Sequence, residues 1–225
     1  MQLKTLVLLP AIVVAGTTLA DTPGACHLFE TETEFVTQTL HMQMEDTRHI
    51  LKIPTVYFED RFDRVEGGEH NAQLFRVMVE DFSPVTRRQT GELRKEGNRA
   101  YYNFVLHDLI DLDGILGIAV ESMATGDGRV MDAYETQPSD FGLDILLPKS
   151  GVQTHRDVFI AVDRSNSLSA VINCSNGVGE INSRCNHDLR TDEIDVRINY
   201  PREYLPRWND LQSSVSDFIS CALNH

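Results

Sequence analysis

The sequence predicts an α+β fold: a mainly antiparallel sheet with a C-terminal amphipathic helix packed on a four-strand meander. Three observations predict it. Residues 194–200 alternate, with Ile194, Val196 and Ile198 on one face and Asp195, Arg197 and Asn199 on the other, as in a strand with one dry and one wet side. Strand-like runs at residues 158–162, 168–174 and 184–189 precede it, separated by short polar turns. After Pro201 the period changes, and Leu205, Trp208, Leu211, Val215, Phe218, Ile219 and Ala222 fall at helical spacing. That helix covers the meander, and Trp208 reads as a core anchor.

From the N-terminus, residues 1–20 place Lys4 ahead of an apolar run and close on Thr18-Leu19-Ala20. A charged start, an apolar stretch and a small-x-Ala ending mark a secretory signal peptide. The run is too short for the ~20 apolar residues of a membrane span, and Pro10 interrupts it. Cleavage after Ala20 and export through the inner membrane are expected, and Cys26 stands too far downstream for a lipoprotein site. No later segment spans a bilayer. The remaining chain reads as a mostly β lobe over residues 21–150 and a meander-plus-helix lobe over 151–225, or the two as one continuous domain.

Within the first lobe, residues 31–44 are rich in Thr, Val and Phe and predict a strand, ended by the polar run Glu45-Asp46-Thr47-Arg48. Residues 51–58 predict a second, with Pro54 at an edge or bend. Residues 74–79 and 101–109 predict two more. Between them, residues 85–99 hold RRQTGELRKEGNR, the one basic stretch, expected as a solvated loop. Residues 115–120 are apolar and buried but of undefined type, and residues 126–151, with four Gly and two Pro, are expected to be mostly loop.

Charge and cysteines narrow the function classes. Asp plus Glu number 34 against 20 Lys plus Arg, a formal charge of −14, which argues against nucleic acid or an anionic membrane as partner. Four cysteines in an exported chain point to disulfides and allow three pairings. Cys174 with Cys185 is favoured, because a turn-rich segment between them lets two paired strands bring them together. That leaves Cys26 with Cys221. Zinc is disfavoured, since no C-x2-C pair exists.

Other candidate sites fail on their chemistry. Asp111-Leu112-Asp113-Gly114 resembles part of a calcium loop, but Leu109 and Val120 would stand where oxygen donors are required; an acidic turn is the better reading. His41-Met42-Gln43-Met44 has copper-type donors, yet in a strand His41 faces away from both methionines, so Met42 and Met44 read as core and His41 as surface. There is no G-x-S-x-G elbow, H-E-x-x-H helix, S-x-x-K or glycine-rich phosphate loop. The reading is a protein without enzymatic activity, cofactor or metal. What stands out is FEDRFDRVEGGE, where acids cluster around Arg61 and Arg64 ahead of Gly67-Gly68. Glu59, Asp60, Asp63, Glu66 and Glu69 are therefore the candidate partner-binding residues, on a flexible loop complementary to a basic protein. The plainer reading pairs Arg61 and Arg64 with those acids in solvent.

Two blocks carry a resemblance. The first is His49-Ile50, Ile53-Pro54, Tyr57, Gly67-Gly68, Leu74-Phe75-x-Val77 and Asp81-Phe82-Ser83-Pro84. The second is Cys185-x-His187, Ile194-x-Val196, Tyr200 and Leu205-x-x-Trp208 followed by the amphipathic helix. Together they resemble small periplasmic proteins of Gram-negative bacteria, including immunity proteins encoded beside type VI secretion effectors such as antibacterial lipases. The resemblance covers about half of the mature chain. It implies a periplasmic protein that binds and neutralises a co-encoded toxin, with no contact residues carried over. An exported accessory or ligand-binding module is the alternative, and a hydrolase with dispersed catalytic residues the third reading.

Overall fold

Alternation in the sequence becomes two sheets in the computed structural model, which describes residues 24–108, 111–124, 129–149, 154–176 and 183–225. The expected signal peptide lies outside the described residues. A small sheet holds β1 (Phe35–Met42), β2 (Thr47–Pro54) and β3 (Gly68–His70) in the order β2-β1-β3, with β3 parallel to β1. The large sheet holds β4 (Ala72–Met78), β5 (Tyr101–His107), β6 (Tyr134–Pro138), β7 (Asp144–Pro148), β8 (Arg156–Val162), β9 (Leu168–Ser175), β10 (Arg184–Thr191) and β11 (Ile194–Pro201). Its order is β4-β5-β11-β10-β9-β8-β7-β6, antiparallel throughout. The α+β architecture is the one expected, with the meander β8 to β11 at its centre. Strands from both sides of residue 150 share this sheet, because β5 pairs with β11.

The period of two decides what each face of the sheet meets. Ala170 and Ile172 face α4 (Trp208–Asn224), whereas Val171 between them faces α3 (Leu112–Met123). Buried Leu189, Val196 and Ile198 share one core with Val215, Phe218 and Ile219 of α4. Phe218 is the hub of that core. Its ring lies 5.2 Å from Phe75 and 5.3 Å from Phe104 of the large sheet. It is 4.9 Å from Tyr57 and 5.4 Å from Phe29 of α1 (His27–Thr31). On the opposite face, Ile115, Ala119, Val120 and Met123 of α3 cover Val158 and Val171. Trp208 is half-buried against the main core, and its Nε1–H donates to the Phe141 carbonyl (2.9 Å).

Both disulfide pairs favoured from the sequence are present. Cys174 and Cys185 are directly opposed on β9 and β10, and Cys26 ties the start of α1 to Cys221 of α4. The turn from β10 to β11 consists of Asp192 and Glu193, both at positive φ (49° and 63°), the conformation that matches the twist of a two-residue hairpin.

Several expectations need correction. The basic stretch is not a loop: residues Arg87–Lys95 form α2, started by a capping box in which Thr86 and Gln89 bond each other's backbone N–H groups. Much of residues 126–151 is a hairpin, β6 with β7, turning near Gly142 (φ +72°). The apolar run of undefined type is α3, and Asp111 is its N-cap, accepting from the Gly114 N–H (2.7 Å). Met42 is core as expected, but Met44 lies past the end of β1 and is 65 % exposed.

Candidate protein-recognition site

The chain between β2 and β4 is short of regular structure, and side chains hold it in place. It leaves Pro54 through single 3-10 turns at Thr55–Tyr57 and Arg61–Asp63. The Asp60 carboxylate caps the second turn by accepting from the Phe62 N–H (2.9 Å), and the Arg64 guanidinium donates to the Phe58 carbonyl (2.8 Å). Gly67 adopts φ +70°, and a Cβ on Gly68 would stand 2.8 Å from His70 Nε2. The Gly-Gly pair, expected to give flexibility, instead makes the turn into β3, whose backbone is paired to β1.

All five candidate acids are exposed, but they do not form one edge. Glu59 is clamped, pairing with Arg76 (2.7 Å) and accepting from the Arg87 N–H (2.8 Å). Glu66 accepts from the Thr37 N–H (2.8 Å), which fastens the loop to β1. Glu69 bonds His41 (3.2 Å) and Arg48 (3.6 Å) on the small sheet. Asp60 and Asp63 remain beside Glu59. The plainer reading of the arginines also changes, since among the described residues neither pairs with an acid: Arg61 lies over the Phe62 ring (4.8 Å) and Arg64 takes the carbonyl already named.

Glu59, Asp60 and Asp63 line a cleft of about 550 Å³. Buried Tyr57 and Gln73 line it too, with Leu74 and Arg76 of β4. Burial, with the nearby Asp81 charge, raises the Tyr57 hydroxyl well above its ordinary range, so it stays a neutral phenol. Two features here carry no sequence signal that the acids alone would give. Phe62 is 70 % exposed and Val65 49 %, so an aromatic and an aliphatic side chain project from a braced, acid-rimmed loop. The second is that β4 is the end strand of the large sheet. Aromatic anchors ringed by polar groups are where binding energy concentrates in protein interfaces.

A second groove, of about 560 Å³, lies between α3 and the polar face of β9, β10 and β11. Met44 and Ile118 stand at it, both exposed, above Arg197, whose Nε donates to Asp188 (2.7 Å). Burial raises the Asp188 carboxyl, and the Arg197 guanidinium opposes that shift. Among the described residues no three His, Cys, Asp or Glu side chains gather where a metal ion would sit, and no helix is long and apolar enough to cross a membrane. The first cleft offers hydrogen-bonding groups, apolar contact and charge.

Fold and cleft together define a disulfide-braced α+β protein with an acid-lined cleft beside the end strand of its large sheet. No protein-family model matches the chain, and no curated protein matches it in sequence. Two solved structures are similar in fold. Smlt3025, an immunity protein of the Stenotrophomonas maltophilia type IV secretion system, superposes with a TM-score of 0.59 at 16 % identity, over 83 % of this chain and 93 % of that one. FrpD, an iron-regulated outer membrane lipoprotein of Neisseria meningitidis, gives a TM-score of 0.49 at 13 % identity, over 84 % of this chain and 93 % of that one. The first likeness is one of fold, and it is to an immunity protein of a type IV system where the sequence resemblance implied type VI.

Proposed function

We propose that this chain is an immunity-type protein of the periplasm, which binds and neutralises an antibacterial toxin encoded beside it. The observation that carries the reading is the likeness of its fold to an immunity protein, over 83 % of this chain and 93 % of that one. Two disulfides, a sequence start of signal-peptide type and an acid-lined cleft with exposed Phe62 and Val65 on its loop support it. Glu59, Asp60 and Asp63, with Phe62 beside them, are the proposed contact residues, and Glu66 and Glu69 hold that surface in place. The apolar group supplies contact area, and the acids speed encounter with a basic toxin. The delivery system, type VI by sequence resemblance, is read from the neighbouring genes.

The test is stoichiometric binding. Size-exclusion chromatography with light scattering on the purified chain and the product of the adjacent effector gene should give a one-to-one complex. Two separate peaks at micromolar concentrations of both proteins would contradict the reading.

A further inference from the structure

Natural sheets blunt the edges they leave in water with prolines, charges, bulges or a covering segment. The β6 edge of the large sheet carries Glu135 and ends on Pro138. The β4 edge is built differently. Along an antiparallel strand, the N–H and C=O of one residue point to one side and those of the next residue to the other. The Arg76 carbonyl accepts from Val85 (3.0 Å) and the Met78 N–H donates to Ser83 (2.9 Å), so the even-numbered residues of β4 face outward. There the pairing stops. Two and four residues earlier, Leu74 and Ala72 turn their backbone groups to the same side, and no strand among the described residues meets them. What lies beside them is the cleft, lined by both residues.

We propose that β4 accepts an extended, lysine- or arginine-bearing segment of the protein partner as a ninth strand of the large sheet. The inference rests on the binding reading above and specifies how the partner is held. Backbone groups of Ala72 and Leu74, with the N–H of Arg76 whose carbonyl already serves Val85, supply the ladder, and alternate side chains of the incoming segment meet Leu74 on one face and Tyr57 with Gln73 on the other. Charge selects the occupant. Asp63 is tied to the small sheet, because its carbonyl accepts from Gln38, the residue paired with Gly68 at the start of β3, and it lines the cleft together with His70 and Ala72, where β3 hands on to β4. Asp60 is in the same turn, whereas Arg76 and Arg87 mark the closed end near Val85. A basic side chain entering at the open end meets two carboxylates, and Glu59 already neutralises Arg76 at the other. A second copy of this chain is the poorer occupant, since two such edges would bring two pairs of Asp60 and Asp63 together in a chain of formal charge −14.

Residue-resolved amide exchange on the disulfide-intact protein tests this, with an end-blocked heptapeptide of alternating lysine and valine as probe. Adding the peptide should slow exchange at Leu74 and Arg76 by about tenfold or more, with little change at Phe75 and Val77, which already bond β5. The same peptide N-methylated at alternate amides should give no protection. Leu74→Pro removes an outward N–H at an edge, where proline is tolerated; it should keep the fold and lose the peptide, whereas Leu74→Ala, which keeps that N–H and gives up only side-chain contact, should weaken binding far less. Binding without slowing at Leu74 and Arg76, no binding at millimolar peptide, or slowing that grows with protein concentration alone would overturn the proposal. The adjacent-gene toxin separates this inference from the reading beneath it. A toxin complex that leaves Leu74 and Arg76 exchanging freely sinks strand addition alone, and a protein that captures the peptide but not the toxin sinks the immunity reading alone.

Discussion

His187 is a residue whose protonation the fold alters within the ordinary pH range. It is fully buried, bonded to Gln212 Oε1 (2.9 Å), and its Nδ1 has no partner among the described residues. Burial pushes the imidazole down to about 4, against an ordinary 6.5. The folded protein therefore binds fewer protons than the unfolded chain between those values. The stability this contributes is complete above pH 6.5 and is lost as pH falls toward 4. At ~1.4 kcal/mol for each pH unit, the loss is about 3 kcal/mol. Urea denaturation at pH 7 and pH 4 should show a wild-type decrease larger than that of His187→Gln by roughly this amount; equal decreases would mean His187 is not held neutral. Phe218→Ala removes the aromatic hub and should cost about 3–5 kcal/mol by the same measurement. Phe218 was legible as a core position from its helical spacing. The burial of His187 was not, since the sequence of β10 does not say which of its faces the last helix covers.

Elements were legible where a period ran long enough and illegible where the deciding signal was a cap or a turn. The meander and α4 have sustained alternation and a sustained helical stripe, and both stand as read. Helix α2 has little apolar stripe, and its basic residues suggest solvent; the informative residues are Thr86 and Gln89, three apart, which open it with a capping box. Thr86→Ala should cost about 1 kcal/mol of stability, read from urea denaturation, and shift helical content only slightly. Helix α3 is apolar on most sides, so a short window of it does not separate strand from helix. Gly67-Gly68 suggests a flexible loop over residues 59–70, but positive φ at Gly67 and lack of room for a Cβ at Gly68 explain that pair. Charge reversal at Asp60 and Asp63 should leave the clamps at Glu59 and Glu66 intact. Stopped-flow mixing with the toxin should then show association slowed and its salt dependence reduced, with dissociation nearly unchanged. Unchanged association and salt response would remove these carboxylates from the recognition surface.

At the scale of the molecule, the cleft exists because of strand order. Nothing in residues 72–78 marks β4 as an end strand; that follows from β5 pairing with β11 across most of the chain. The acids of the cleft could be found in the sequence, and its backbone half could not. The long-range disulfide acts at the same scale, joining residues 195 apart, so that α1 stays on α4. Replacing Cys26 and Cys221 by serine should cost roughly 2–5 kcal/mol, and non-reduced peptide mapping should find Cys26 with Cys221 and Cys174 with Cys185. The central claim, that this fold neutralises a toxin in the periplasm, is tested most directly by survival. Cells directing the adjacent-gene effector to the periplasm should grow when this chain is exported with it and die when the chain is made without residues 1–20. Death despite export, with the protein present and oxidised in the periplasm, would contradict the account.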